Sequence, residues 1–279
     1  MNKPLFVIEN LSCSYKKGPV VLRIPFLEIP RNRIIVLLGK SGFGKSTLLE
    51  TLGLMNNTIS EGDIQFFPGE DDKMISYKDL WFSGKLSEIA KIRREHFSFI
   101  FQNTNLMPNF TAYENACLTQ MISGVPFIKA KEKVREVMVE MGLEKVKDSQ
   151  RAVELSGGQK QRLAFVRAIT PDFLVLFGDE PTGNLDNYNS EELMWKLDRN
   201  IRQNSGSAII VSHNVELSMK FADVLMVLSR DQKEDPFCQI RNENTFHKDY
   251  QHGNWTDYQG KPIDDIKSSI DELFKLQLC

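Results

Sequence analysis

The chain has 279 residues, 41% of them hydrophobic, enough to bury a sizeable core in one large α/β domain or two modest ones. Its 35 basic and 37 acidic residues leave a formal charge of −2, without the concentrated basic surface that nucleic-acid binding needs, which argues against nucleic acid as a partner. Four cysteines, Cys13, Cys117, Cys238 and Cys279, stand far apart with no C-x-x-C spacing, which argues against a zinc site or disulfide framework and predicts reduced cytosolic thiols.

Met1-Asn2-Lys3-Pro4 opens no long apolar run, and the later run Ile34 to Leu38 is far too short to span a bilayer, so the chain reads as neither secreted nor membrane-spanning by itself. Tyr15 precedes a turn at Lys16-Lys17-Gly18; its ring can stack on a base or serve as an ordinary strand-end tyrosine. Arg33-Ile34-Ile35-Val36-Leu37-Leu38 is the continuous apolar run of a strand buried on both faces of a parallel sheet. Gly39-Lys40-Ser41-Gly42-Phe43-Gly44-Lys45-Ser46-Thr47 follows directly, with Leu48, Leu49, Leu52 and Leu54 beginning a helix. This is G-x-x-x-x-G-K-[ST] in its strand-to-helix setting: the glycines let backbone N–H groups face phosphates, Lys45 reaches the β and γ oxygens, and the Ser46 hydroxyl can ligate Mg²⁺.

Pro68 to Ser87 reads as a long, irregular, insertion-like stretch without an activity of its own. Ser98-Phe99-Ile100-Phe101 reads as a short strand that delivers Gln102, an amide able to touch Mg²⁺ or an attacking water, to its end. Helical spacing covers Thr111 to Met121 and Ile128 to Met141. Leu155-Ser156-Gly157-Gly158-Gln159 places a hydroxyl beside unshielded backbone N–H groups at the head of a helix carrying Leu163, Ala164, Val166 and Arg167-Ala168, which makes a second phosphate cradle or a capped turn. Phe173 to Gly178 is a further apolar strand, ending in Asp179, a Mg²⁺ ligand, and Glu180, a general base. Ala208-Ile209-Ile210-Val211 is another buried strand, closing on Ser212-His213-Asn214, where His213 can contact a γ-phosphate or cap the next helix. No internal repeat appears. Composition shifts after Ser229, and Pro262, Ile263, Ile266, Ile270, Leu273, Phe274 and Leu278 share helical spacing, as expected of an amphipathic helix docked on its own domain or, as a sharper reading, of a dimerisation or regulatory surface.

The phosphate loop, Gln102, Leu155 to Gln159, Asp179-Glu180 and His213, present in this order, resemble the nucleotide-binding subunit of ATP-binding-cassette (ABC) transporters from about Leu5 to Ser229. Asp179-Glu180-Pro181-Thr182-Gly183-Asn184-Leu185-Asp186 and the block Asn105 to Asn115 look like the subgroup of lipoprotein-releasing, macrolide-exporting and cell-division ATPases. The resemblance implies an α/β P-loop NTPase fold with a mostly parallel core sheet, an antiparallel β region and a helical subdomain at about 103–170, within an ATPase domain at 1–230 and ahead of an extension at 231–279. It implies ATP hydrolysis with Mg²⁺ held by Ser46, Gln102 and Asp179, and catalysis by Glu180, His213 and Gln102. Tyr15, residues Gly39 to Thr47 and Asp186 then belong to the nucleotide site, Asp186 in the loop linking two such sites. Ser156, Gly157, Gly158 and Gln159 close on the ATP of a second subunit, in a homodimer or heterodimer. The partners implied are membrane permease subunits at the cytoplasmic face of the inner or plasma membrane, with Phe97, Phe99, Phe101, Met107 and Phe110 shaping a docking groove or filling core. Regulation of a cell-envelope or division complex without transport is the alternative.

Overall fold

The computed structural model describes residues 3–16, 18–69, 73–183, 185–231 and 235–275; Lys17, Asn184, Leu278 and Cys279 lie outside the described residues. The first half of the chain forms β1 (Phe6–Ser14), β2 (Val20–Ile29), β3 (Ile34–Leu38), α1 (Lys45–Leu52), β4 (Ile59–Phe66), β5 (Ile75–Ser76), α2 (Tyr77–Phe82), α3 (Leu86–His96), β6 (Phe97–Ile100), α4 (Ala112–Ile122) and α5 (Phe127–Glu140). The second forms α6 (Gly157–Ile169), β7 (Val175–Asp179), α7 (Asn187–Gln203), β8 (Ser207–Val211), α8 (Val215–Phe221), β9 (Val224–Val227), β10 (Ser229–Asp231), β11 (Asp235–Gln239), β12 (Thr245–Asp249), β13 (Asn254–Thr256), β14 (Pro262–Ile263) and α9 (Ile266–Lys275). They make two compact units, residues 1–89 with 207–279, and residues 90–206.

In the first unit β3 lies parallel between β8 and β9, with Ile35 opposite both Ile209 and Val224. All three strands are buried throughout, which is why they read as unbroken apolar runs rather than alternating ones. Beyond β9 the sheet turns antiparallel through β12, β13 and β14, so residues after 240 cover an edge that would otherwise expose unpaired backbone. A second sheet runs β10-β11-β2-β1-β4-β5, antiparallel except where β11 meets β2. Phe6 stacks on Phe66 with centroids 5.0 Å apart, and Tyr77 is buried against Phe6 with its hydroxyl donating to Leu52 O at 2.7 Å. Thus part of the stretch expected to be irregular, Pro68 to Ser87, is ordered by burial: Ile75 and Ser76 pair with β4, and Ser76 caps α2 through Asp79 N.

Two boundaries differ from the expectation. Helix α1 stops at Leu52 because Gly53 N caps back on Leu49 O and Leu54 takes a left-handed φ of 55°, so Leu54 is buried but not helical. The C-terminal helix begins at Ile266, since Pro262 and Ile263 are held in β14 by Thr256 and Trp255. Its Ile266 and Ile270 are buried, and Lys267 Nζ reaches Glu216 Oε1 of α8 at 2.9 Å, so this helix docks on its own domain.

In the second unit β6 pairs in parallel with β7, and α4, α5 and α6 pack on one another. Thr111 heads α4 in a reciprocal capping box with Glu114, satisfying orphan N–H groups of the first turn. Phe97 meets Phe177 edge-on and Phe99 stacks between Phe177 and Phe101, so of the two readings of Phe97 the core one holds: its ring is buried.

Candidate active site

The phosphate loop leaves the buried end of β3. Gly42 and Gly44 have φ of 81° and 84°, a left-handed backbone that favours glycine, and a Cβ at Gly39 would crowd Leu228 Cβ at 3.1 Å, so the loop needs glycine for conformation at the first two and for room at the third. Gly44 then serves as N-cap of α1 without a side-chain bond, which leaves the first-turn N–H groups directed at the loop's concavity. Lys45 is buried, its ammonium donating to Gly39 O at 2.7 Å and Lys40 O at 2.8 Å. Those carbonyls hold the cation at the rim of the loop where phosphate oxygens would sit. Ser41 and Ser46 are exposed, Phe43 is half-buried, and Thr47 is buried with its Oγ1 3.0 Å from the Tyr15 hydroxyl. Tyr15, 46% exposed, therefore stands beside the loop with a free ring surface. His213 is exposed at the end of β8; Asn214, not His213, caps α8, its Oδ1 accepting from Leu217 N at 2.9 Å.

The second unit carries the acidic groups and the signature segment. Asp179 is the last residue of β7 and half-buried; Glu180 follows in a left-handed backbone, φ 45°, which is uncommon for a non-glycine residue and typical of strained functional positions. The reversal is held by Gly183 N donating to Glu180 O at 3.0 Å and by the Gln161 amide donating to Pro181 O. It presents Glu180 Oε2 to Gln102 Nε2 at 3.4 Å, so the two predicted groups meet. Asp186 caps α7, and the bonds from Asn189 N and its amide hold the Asp186 carboxyl below the usual carboxylate range.

Ser156 is the N-cap of α6: its Oγ accepts from Gln159 N at 3.3 Å while Gln159 Oε1 accepts from Ser156 N at 2.9 Å. The capped-turn reading therefore holds. The cradle reading is compatible with it, because a Cβ on Gly157 or Gly158 would meet nothing within 4 Å, so the backbone at the positive end of a 13-residue helix is open to an incoming anion. This segment is tied by backbone to the loop after Gln102: Ala152 N donates to Phe110 O at 2.9 Å and Val153 N to Pro108 O at 3.1 Å. Met107 and Phe110 are exposed on that loop.

Two residues that hold this machinery were not legible as such in the sequence. Asn115, wholly buried, accepts from Met107 N at 2.7 Å and donates to Met107 O and Thr111 O, each at 3.0 Å. Asp223, 3% exposed, accepts from Ile34 N at 2.7 Å and from the Tyr250 hydroxyl, anchoring the strand that leads into the phosphate loop. Asp223 stands between buried Ala222 and Val224, a polar residue in an apolar run, whereas Asn115 follows exposed Glu114 and carries no such signal. Among the described residues no helix is long and apolar enough to cross a membrane.

A phosphate loop between a parallel strand and a helix, with carboxylates at the carboxyl end of another, defines a P-loop nucleotide hydrolase. The ABC transporter family profile matches residues 23–183, more than half of the chain. The lipoprotein-releasing system ATP-binding protein LolD of Paramagnetospirillum magneticum is 35% identical over 228 residues, 81% of this chain and 96% of that protein. LolD of Novosphingobium aromaticivorans is 34% identical over the same shares. Among solved structures, the dimeric ABC transporter cassette MJ0796 has a TM-score of 0.69 at 27% identity, covering 80% of this chain and 93% of that one. Its post-hydrolysis dimer bound to ADP and Pi has a TM-score of 0.67 at 26% identity, with the same coverage. The chain belongs to the ABC transporter family: it is an ATP-binding, ATP-hydrolysing subunit that energises a membrane complex.

Proposed function

We propose that this subunit works as a dimer in which each chain's phosphate loop holds an ATP that the other chain's Ser156, Gly157, Gly158 and Gln159 complete. The observation that carries this reading is the open start of α6, where a Cβ on Gly157 or Gly158 would meet nothing within 4 Å and the helix dipole favours an anion. Tyr15 stacks on the base, Gly39 to Thr47 wrap the phosphates with Lys45 on the β and γ oxygens, and His213 senses the γ-phosphate. Ser46, Gln102 and Asp179 offer the hard oxygen donors that suit Mg²⁺, whose charge would offset that of the phosphates. Glu180 takes a proton from the water that attacks the γ-phosphorus, releasing ADP and phosphate, while the Gln102 amide holds the carboxylate in place. Asp186, at the head of α7, lies in the segment linking the two sites.

The ATPase domain spans 1–230 with its helical subdomain at about 103–170, and 231–279 is an extension. The partners are permease subunits, and the protein sits peripherally at the cytoplasmic face of the membrane. Likeness to two LolD proteins supports extrusion of lipoprotein or a similar substrate.

Glu180→Gln tests the reading in full-length protein: it should abolish phosphate release, keep ATP binding, and trap an ATP-dependent dimer in size-exclusion chromatography. Ser156→Arg should block hydrolysis while monomeric ATP binding persists. Unchanged turnover in Glu180→Gln, or loss of monomer binding in Ser156→Arg, would overturn the assignment.

A further inference from the structure

One buried charge has no role in the scheme above. Arg167, near the C-terminal end of α6, is 9% exposed on a helix that is buried on every side from Leu163 to Ile169. Among the described residues no carboxylate pairs with it. Instead Nη2 donates to Thr104 O at 2.7 Å and Nη1 to Asn105 O at 2.8 Å, two consecutive carbonyls just beyond Gln102. A planar guanidinium can grip two such acceptors at once, and a lysine ammonium cannot reproduce that fork.

The chain has to bend to offer both carbonyls. Asn105 takes a left-handed φ of 48°, and two residues further on Met107 is held through its N–H and C=O by the buried Asn115 amide. The segment carrying Gln102 is thus anchored upstream by β6 and downstream by Arg167 and Asn115. Gln102 in turn meets Glu180 at 3.4 Å, a long contact whose length depends on where that segment stands.

We propose that Arg167 is a positioning residue for hydrolysis, setting Gln102 against Glu180 and locking both to the helix that begins at Ser156. The proposal rests on the roles given above to Gln102 and Glu180. Since Ser156 and Arg167 stand at opposite ends of one helix, displacement of the signature end is carried through Arg167 to the carbonyls beside Gln102. Closing on ATP and aligning the base become one motion.

The test is steady-state ATPase kinetics of full-length Arg167→Lys and Arg167→Met, with Mg²⁺ titrated and melting temperatures recorded. Misplacing a catalytic group by about 1 Å costs up to ~100-fold, so kcat should fall by about 10- to 100-fold while the KM for ATP stays within about twofold. The Mg²⁺ concentration for half-activation should rise in the folded Lys variant, a change that mere loss of stability does not produce. Asn105→Val opposes the left-handed bend, where a β-branched residue is strained, without touching a buried side chain, and should raise the Mg²⁺ requirement even where Arg167→Met does not fold. Wild-type kcat and Mg²⁺ dependence in folded Arg167→Lys, or in Asn105→Val, overturn the proposal. Gln102→Ala and Glu180→Gln run alongside: if Gln102→Ala leaves the Mg²⁺ dependence unchanged, the assignment of Gln102 fails, whatever the Arg167 variants do.

Discussion

Replacing Asn115 with Ala removes the side chain that shapes the loop between Gln102 and α4. The amide oxygen accepts from Met107 N at 2.7 Å; the amide nitrogen donates to Met107 O and Thr111 O at 3.0 Å, with Phe110 O at a marginal 3.4 Å. Asn115 itself has no exposed surface, so Ala leaves a small void as well as unpaired backbone groups. An unsatisfied buried partner costs about 1–3 kcal/mol and the cavity adds to it, while carbonyls on exposed Met107 and Phe110 recover water, for a total of about 2–4 kcal/mol. At roughly 2–4 °C per kcal/mol for a unit of this size, the melting temperature should fall by roughly 5–15 °C. Differential scanning calorimetry of the full chain reads the shift, and hydrogen exchange should show the amides of residues 104–111 losing protection first. Asn115→Asp sharpens the test. It keeps the acceptor for Met107 N but turns a carboxylate toward the carbonyls, so its pKa is raised and its protonated form is the stable one. The extra loss relative to Ala should therefore be greatest at neutral pH and shrink as pH falls through the raised carboxyl pKa. An Asn115→Ala protein melting within about 1 °C of the parent, or with unaltered exchange in that loop, refutes the reasoning.

Tyr250→Phe deletes the hydroxyl that shares Asp223 with Ile34 N and should lower stability by about 1–2 kcal/mol, read by calorimetry, without altering ATP affinity. Burial first, and Arg33 second, hold the His247 imidazole below its ordinary pKa, so the fold resists protonating it; that stability is complete above about pH 6.5 and is lost as pH falls. His247→Gln should accordingly show a smaller drop in melting temperature between about pH 7.5 and 5.5 than the parent; an equal drop would exclude the linkage. Burial pushes the Cys117 thiol up to about 11, so Ellman's reagent at mildly alkaline pH should leave it unmodified until the protein is unfolded.

Most of the chemistry was legible in the sequence where it is contiguous. The phosphate loop, the Asp179-Glu180 pair and the Ser156 cap each depend on neighbours within a few residues, so spacing alone announces them. Less visible were conformations imposed by burial. Leu54 continues the apolar rhythm of α1 yet lies outside the helix, because Gly53 ends it first. Pro262 and Ile263 share the spacing of α9 but satisfy their backbone in a strand. The aromatic run Phe97 to Phe101 points to a sheet without saying which ring is core, a matter decided by Phe177 on the neighbouring strand.

By itself, then, the sequence determined the phosphate loop, the order of the nucleotide motifs and with them the family, since each is a local arrangement of backbone donors and side chains. Only the tertiary structure decided what holds those motifs in place. Arg167 meets Asn105 across 62 residues and Asp223 meets Ile34 across 189, and contacts at such separations obey the packing of buried polar groups rather than any period along the chain.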